Sequence, residues 1–216
     1  FPTLRTVDHM ASHIQEYFED PSGELPPVLR WGIKAAWPGQ LTTGLVARTI
    51  EYNLNLVSQT YIAGKTPADA AGTLRRLHRE KAAATLNILG EGAPGARRAE
   101  SLQEAYVEAI RLLSRETAHW PGDTPADSAP WGPAPRVSIS LKLSSICPRL
   151  DPLDFDNACE VAATCLRPIL RAARDQRAAV ILDMEQFRLR DLTLAVVRLL
   201  FAEREFRDYP HLGVAV

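Results

Sequence analysis

From about residue 82 the chain alternates short apolar runs with longer amphipathic segments, and no other feature constrains its fold as strongly. The pattern predicts strands at Ala84–Leu89, Val137–Leu143 and Ala178–Asp183, and the beginning of a fourth at Leu212–Val216. Between them it predicts helices over Glu100–Thr117, Phe155–Arg174 and Asp191–Glu203. Strands joined through helices run parallel, because each connection must carry the chain back along the sheet. The class is therefore α/β. Three and a half such units fit half of a (β/α)8 barrel, and they fit an open doubly wound sheet equally well. Periodicity alone does not choose between them, and no internal repeat is visible beyond the alternation.

Residues 1–80 read differently, as a helical N-terminal arm. Leu45, Ile50, Leu54, Leu56, Val57 and Tyr61 recur at near-helical spacing, and Gly64 ends that helix. Thr66 before Pro67 is an N-cap followed by proline at the first helical position, which opens a helix through about His78. Pro21, Pro26, Pro27 and Pro38 break the earlier stretch into short pieces. The arm thus covers 1–80 and the α/β region 81–216, with a proline-rich loop over 120–136.

Charge excludes one class of partner. There are 25 basic and 26 acidic residues, for a net charge of −1, so no electrostatic footprint points to nucleic acid. Cys147, Cys159 and Cys165 are too few and too badly spaced for a disulfide framework or a zinc site, which implies a reducing, cytoplasmic location. No apolar run approaches the roughly 20 residues a membrane helix needs. The chain opens on Phe1 and stops at Val216 inside an apolar run, so it is expected to be part of a longer barrel.

Gly90-Glu-Gly-Ala-Pro-Gly95 matches the dinucleotide fingerprint G-x-G-x-x-G and lies between an expected strand and helix. A Rossmann unit needs its second strand, ending in an acidic residue, roughly 20 residues further on. Here that window is still helical. Pro94 also removes an amide from a loop whose work would be donating amides to a pyrophosphate. A strand-to-helix turn is the better reading.

The chemistry gathers on the strands. In Val137-Ser-Ile-Ser-Leu-Lys-Leu143 one face carries Val137, Ile139, Leu141 and Leu143, and the other carries Ser138, Ser140 and Lys142. With the apolar face against the helices, Lys142 points the other way, near the C-terminal end of its strand. An ammonium there needs a counter-charge. Asp183 and Glu185 share one face of the next strand, and Glu91 follows the first. Charged groups at C-terminal strand ends are where barrel enzymes keep their catalytic residues. A purely structural ion pair between Lys142 and Asp183 or Glu185 uses the same positions. Lys142 is also suited to binding a carboxylate or to forming a Schiff base. His9, His13, His78, His119 and His211 are dispersed and read as surface or capping residues, while Trp31, Trp37, Trp120 and Trp131 lie near prolines and read as loop packing.

Four segments together carry a resemblance: Tyr61-Ile-Ala-Gly-Lys-Thr-Pro67, Thr85-Leu-Asn-Ile-Leu-Gly-Glu91, Val137-Ser-Ile-Ser-Leu-Lys-Leu-Ser-Ser-Ile-Cys-Pro-Arg149 and Ile181-Leu-Asp-Met-Glu-Gln186. In this order they resemble the proline dehydrogenase family, including the flavin domain of the bifunctional proline utilisation A enzymes. The resemblance spans roughly residues 45–216. It implies the N-terminal half of a (β/α)8 TIM-like barrel, strands 1–4, preceded by the helical region. It also implies FAD as cofactor, oxidation of L-proline to 1-pyrroline-5-carboxylate, and a quinone or another electron acceptor. By position it makes Lys142, Asp183, Glu91 and Asn87 catalytic. Asp183, Met184, Lys142 and Ala215 fall where the family contacts its flavin. Many relatives carry aspartate where this chain has Asn87, and the family's carboxylate-binding arginine pair belongs to the second half of the barrel. On this reading residues 1–216 alone neither hold FAD tightly nor oxidise proline. Peripheral association with the inner membrane, homo-oligomerisation and a following aldehyde dehydrogenase domain are left open. Two rival readings remain: a barrel lyase or aldolase with Lys142 as nucleophile, and a non-catalytic interaction module.

Overall fold

The computed structural model describes residues 62–89, 96–122, 124–130, 132–148, 150–184 and 186–215. The helix expected before Tyr61, the glycine segment 90–95 with Glu91, and Glu185 lie outside the described residues. The chain divides into two units, Phe1–Ala63 and Gly64–Val216, and the elements below all belong to the second.

Helix α1 (Pro67–Arg79) begins as its sequence dictates. The Asp69 amide donates to Thr66 Oγ1 at 3.2 Å, and the Thr66 amide donates to Asp69 Oδ2 at 3.0 Å, a reciprocal capping box. Gly64 is required just upstream, because a Cβ there would lie 2.4 Å from that of Asp69. Strand β1 (Leu86–Asn87) follows, then α2 (Ala96–Thr117). The loop over 120–136 contains a 3-10 turn (Pro125–Asp127) and a two-strand antiparallel pair, β2 (Ser128–Ala129) with β3 (Gly132–Pro133). Then come β4 (Ser138–Leu141), the single turn α3 (Leu143–Ile146), α4 (Phe155–Gln176), β5 (Ala179–Asp183), α5 (Arg190–Ala202) and β6 (Leu212–Ala215).

The main sheet has the order β1-β4-β5-β6, every neighbouring pair parallel. A doubly wound sheet reverses its strand order at a switch point. Over these four strands there is no reversal. The connecting helices therefore share one side, and α4 packs against both α2 and α5. Ile139, Leu141, Val180 and Leu182 on the strands meet Tyr106, Ile110, Leu166, Ile169 and Val196 on the helices in one buried cluster. The opposite face of β5, carrying Ala179, Ile181 and Asp183, remains partly exposed. Alternation thus sorts apolar groups toward the helices and the polar set toward the open side, as period two requires.

Strand β4 ends sooner than its apolar pattern suggests. The Lys142 carbonyl accepts from the Ser145 amide at 3.0 Å and from Ser145 Oγ at 2.7 Å, which turns the chain into α3. Leu143 is buried as expected, but from a helical turn and not from the strand. Helix α4 runs through Pro168 without ending there. Its outer face is tied to the approach of β6 by Arg167 to Glu203 at 2.8 Å and Arg171 to Glu205 at 2.8 Å.

His78 departs from its expected surface or capping role. It is buried, with Nε2 3.1 Å from both Asp127 oxygens and its ring stacked at a tilt, 4.9 Å from that of Trp120. Arg136 completes the cluster, donating Nε to Asp127 Oδ1 at 2.9 Å and Nη2 to Oδ2 at 3.2 Å. This knot joins the end of α1, the proline-rich loop and the entry to β4. It lies at the N-terminal end of the sheet, away from the C-terminal ends of the strands.

Burial pushes the Asp127 carboxyl up, but hydrogen bonds from Arg136, the Thr124 amide and His78 outweigh it and hold the group at about 2. Its pKa is thus lower in the fold than the ordinary 3.8, so ionisation stabilises the native state above that value. The contribution, about 2 kcal/mol, is lost as pH falls from the ordinary value through the folded one. The thermal midpoint of the protein should therefore fall more steeply with acid than that of Asp127→Asn. Parallel acid limbs for the two proteins would contradict this assignment.

Candidate functional site

The register of the sheet brings the sequence candidates to one end. Asn87 pairs with Ser140, Ser140 with Ile181, and Ile181 with Gly213, all on the open face. One level toward the C-terminal ends, Asp183 pairs with Ala215, and Lys142 follows Leu141, the partner of Leu182. The Met184 amide donates to the Ala215 carbonyl at 3.3 Å, extending the β5–β6 ladder beyond the last pair. Asn87, Lys142, Asp183, Met184 and Ala215 therefore occupy adjacent C-terminal strand ends.

One contact crosses the sheet. Asn87 Nδ2 donates to Asp183 Oδ2 at 3.3 Å, although β4 runs between their strands. Two strand spacings amount to about 9.6 Å, so the two short side chains meet only if β1 and β5 are bent toward each other over β4. The small Ser140 beneath them leaves the space for it. The open face is concave at this level, and its polar groups converge over β4.

Lys142 is half-buried and lines a cleft with Ser144, Asp183, Met184, Gln186 and Thr193. Glu91 and Glu185, the other expected counter-charges, fall outside the described residues. Beside the cleft the floor is bare, since a Cβ added at Gly213 would meet no atom within 4 Å. The arrangement offers a cation, a carboxylate and an amide around an open, apolar surface. A cation, a carboxylate and an amide set together in this way can bind a small charged molecule.

Two supporting residues escaped the sequence reading. Tyr106 is buried on α2, and its hydroxyl lies 3.3 Å from the Ser140 carbonyl and 3.4 Å from that of Ile88. It braces β1 against β4 directly behind Asn87. Thr193 bonds back to the Leu189 carbonyl at 2.8 Å and closes the cleft from α5. Both sit on apolar helix faces, where a hydroxyl gives no sign of what lies above it.

A family model described as proline dehydrogenase matches residues 70–216. The chain belongs to the proline dehydrogenase family. Residues 1–61 match a second model, the proline utilization A N-terminal domain. Proline dehydrogenase 1 of Bacillus subtilis strain 168 is 29% identical over 147 residues, which is 68% of this chain and 41% of that protein. The bifunctional protein PutA of Escherichia coli K12 is 22% identical over 172 residues, 80% of this chain and 12% of that protein. Among solved structures, proline utilization A from Bdellovibrio bacteriovorus inactivated by N-propargylglycine superposes with a TM-score of 0.75 at 28% identity. That match covers 80% of this chain and 18% of the other. Proline utilization A from Bradyrhizobium japonicum, at 22% identity and a TM-score of 0.58, shares the fold over 82% of this chain and 17% of its own. The chain thus spans less than half the length of the relatives it matches. Among the described residues no helix is long and apolar enough to cross a membrane, and no group of three or more metal-ligating side chains gathers.

Proposed function

We propose that the protein containing this chain oxidises L-proline to 1-pyrroline-5-carboxylate with FAD, and that the chain supplies the first four strands of a (β/α)8 barrel. The unreversed order of the four described strands, with the helices that connect them on one side, supports the barrel. The observation that carries the function is the convergence of Asn87, Asp183 and Lys142 on the concave face of a proline dehydrogenase family sheet.

The residues present fit a flavin. Gly213 leaves room over β6, Ile181 and Ala215 make an apolar floor, and Lys142 and Asp183 stand at its edge. When bound, FAD supplies the two-electron acceptor for hydride from the carbon beside the ring nitrogen, and a quinone or another acceptor later removes those electrons. The chain's own part is orientation. The Lys142 ammonium attracts the proline carboxylate and the electron-rich edge of the cofactor. Asn87 holds Asp183 Oδ2 through its amide, so the carboxylate keeps one orientation beside the lysine. Asparagine achieves this without adding a second negative charge, which would repel Asp183. Met184 and Ala215, whose backbones are joined by a hydrogen bond, would support the cofactor from these strand ends, and Glu91, which follows β1 in the sequence, is a further candidate acid. The remaining substrate contacts come from the second half of the barrel, so residues 1–216 alone bind FAD weakly and do not turn over.

Adding L-proline to the full-length protein under anaerobic conditions is expected to bleach a flavin absorption band and to release 1-pyrroline-5-carboxylate. A protein without bound flavin that is instead trapped on Lys142 by borohydride in the presence of a carbonyl substrate would favour the lyase chemistry.

A further inference from the structure

Helix α2 presents one charged stripe to solvent. Glu100, Glu104, Glu108, Arg111 and Arg115 are all exposed. They recur every three or four residues and so lie along one side of the helix. With half-buried Val107 they line a broad groove, whose wall includes Pro168 of α4. Among the described residues, no ion pair engages any of the five.

The signs along the stripe are segregated, three acids and then two arginines. Within a single helix this order is unfavourable. Glu100 with Glu104, Glu104 with Glu108, and Arg111 with Arg115 are like-charged neighbours one turn apart. The helix dipole does not account for the pattern, because its influence is confined to the end turns. The first turn of α2 holds Arg97 and Arg98 and no acid, the reverse of what the dipole favours.

Turned end for end, the stripe complements itself. An antiparallel copy centred between Val107 and Glu108 sets Glu100 opposite Arg115 and Glu104 opposite Arg111. Two-fold symmetry makes each of these pairs occur twice. Val107 then falls beside the axis, and Glu108 lies about one turn from Arg111 of the second copy. We infer that this face of α2 is a two-fold interface, on which a second copy of the chain docks antiparallel through the Glu100–Arg115 and Glu104–Arg111 pairs. The paired stretch is roughly 22 Å long at the helical rise, and so short a helix pair buries less than the ~1,200 Å² of a standard interface. The association is therefore weak and salt-dependent, with its specificity set by the order of the signs.

The test uses the full-length protein carrying Glu108→Cys, at low salt, with a short bifunctional maleimide and peptide mapping. This substitution marks the axis and removes an acid that would face its own copy there. A cross-link joining position 108 of one chain to position 108 of another is expected. Adding either Glu104→Arg or Arg111→Glu places like charges opposite each other twice and should lower its yield at least about tenfold. Combining both reversals in one chain should restore it. Mixing the two singly reversed proteins should restore it as well, because opposite signs again face each other. Glu100→Arg and Arg115→Glu repeat the series should circular dichroism show the first pair misfolded. No 108–108 cross-link, whether the protein is monomeric or another segment covers this face, would overturn the inference. So would a cross-link indifferent to either reversal, or a loss that neither the double variant nor the mixture repairs. The inference is independent of the proline reading, and its test needs no substrate or flavin.

Discussion

Replacing Asp183 with alanine should lower kcat/KM for proline by about 100-fold or more, roughly 2.7 kcal/mol of transition-state stabilisation. Asp183 is the residue on which the site converges. It takes the Asn87 hydrogen bond at 3.3 Å, pairs with Ala215 in the sheet and shares the cleft with Lys142. Its removal frees Asn87 and leaves the lysine without that neighbouring carboxylate. Asp183→Asn keeps an oxygen for Asn87 but loses the charge, so it should retain more activity than the alanine variant. The fold should not suffer, because Asp183 lies on the partly exposed face and contributes nothing to the buried cluster. Asn87→Ala should cost less, about tenfold. Combined with Asp183→Ala it should add little, since residues acting through one contact are not additive. Steady-state kinetics of the full-length protein, with circular dichroism to check folding, decides it. An Asp183→Ala enzyme within about threefold of wild type would remove this residue from the site.

The second large effect is on stability. Asp127→Ala is expected to destabilise the fold by about 3–5 kcal/mol, the usual cost of leaving a buried partner uncompensated. The Arg136 guanidinium and the His78 ring would both lose the carboxylate they enclose, and the Thr124 amide would lose its cap. Arg136→Met removes the charge from the other side and should cost less, because His78 and Thr124 still satisfy the carboxylate. Denaturant midpoints of the full-length protein measure the difference. At a concentration where the variant stays folded, its KM for proline should match wild type, since the knot lies at the opposite end of the sheet from Lys142. A shift in midpoint worth less than about 1 kcal/mol would show that the three side chains are not the lock this geometry describes.

The sequence was most legible where one local pattern had one physical meaning. Strand β5 and helices α2, α4 and α5 fall within a few residues of their expected bounds, because β-branched runs and amphipathic stretches leave little choice. The cap at Thr66 was equally plain. Contacts between distant segments were not. Asn87 and Asp183 are 96 residues apart in sequence, and their meeting depends on the bend of the sheet and the small Ser140 below them. His78 and Asp127, 49 residues apart, meet because the proline-rich loop folds back over α1. A lone histidine near a helix end carries no trace of that. The early end of β4 turned on Ser145, whose hydroxyl competes for the Lys142 carbonyl against an apolar pattern that continues to Leu143. Strand order, too, was invisible to periodicity, and only the unreversed sheet separates a singly wound fold from a doubly wound one.

The most direct test of the proposed site is a crystal structure of the full-length protein with flavin and a five-membered-ring carboxylate that cannot be oxidised. The ring should lie over the concave face of β1, β4, β5 and β6, with Lys142 and Asp183 within hydrogen-bonding distance of the ligand or the cofactor. A flavin and ligand bound away from these strand ends, with Asn87, Lys142 and Asp183 touching neither, would contradict the account.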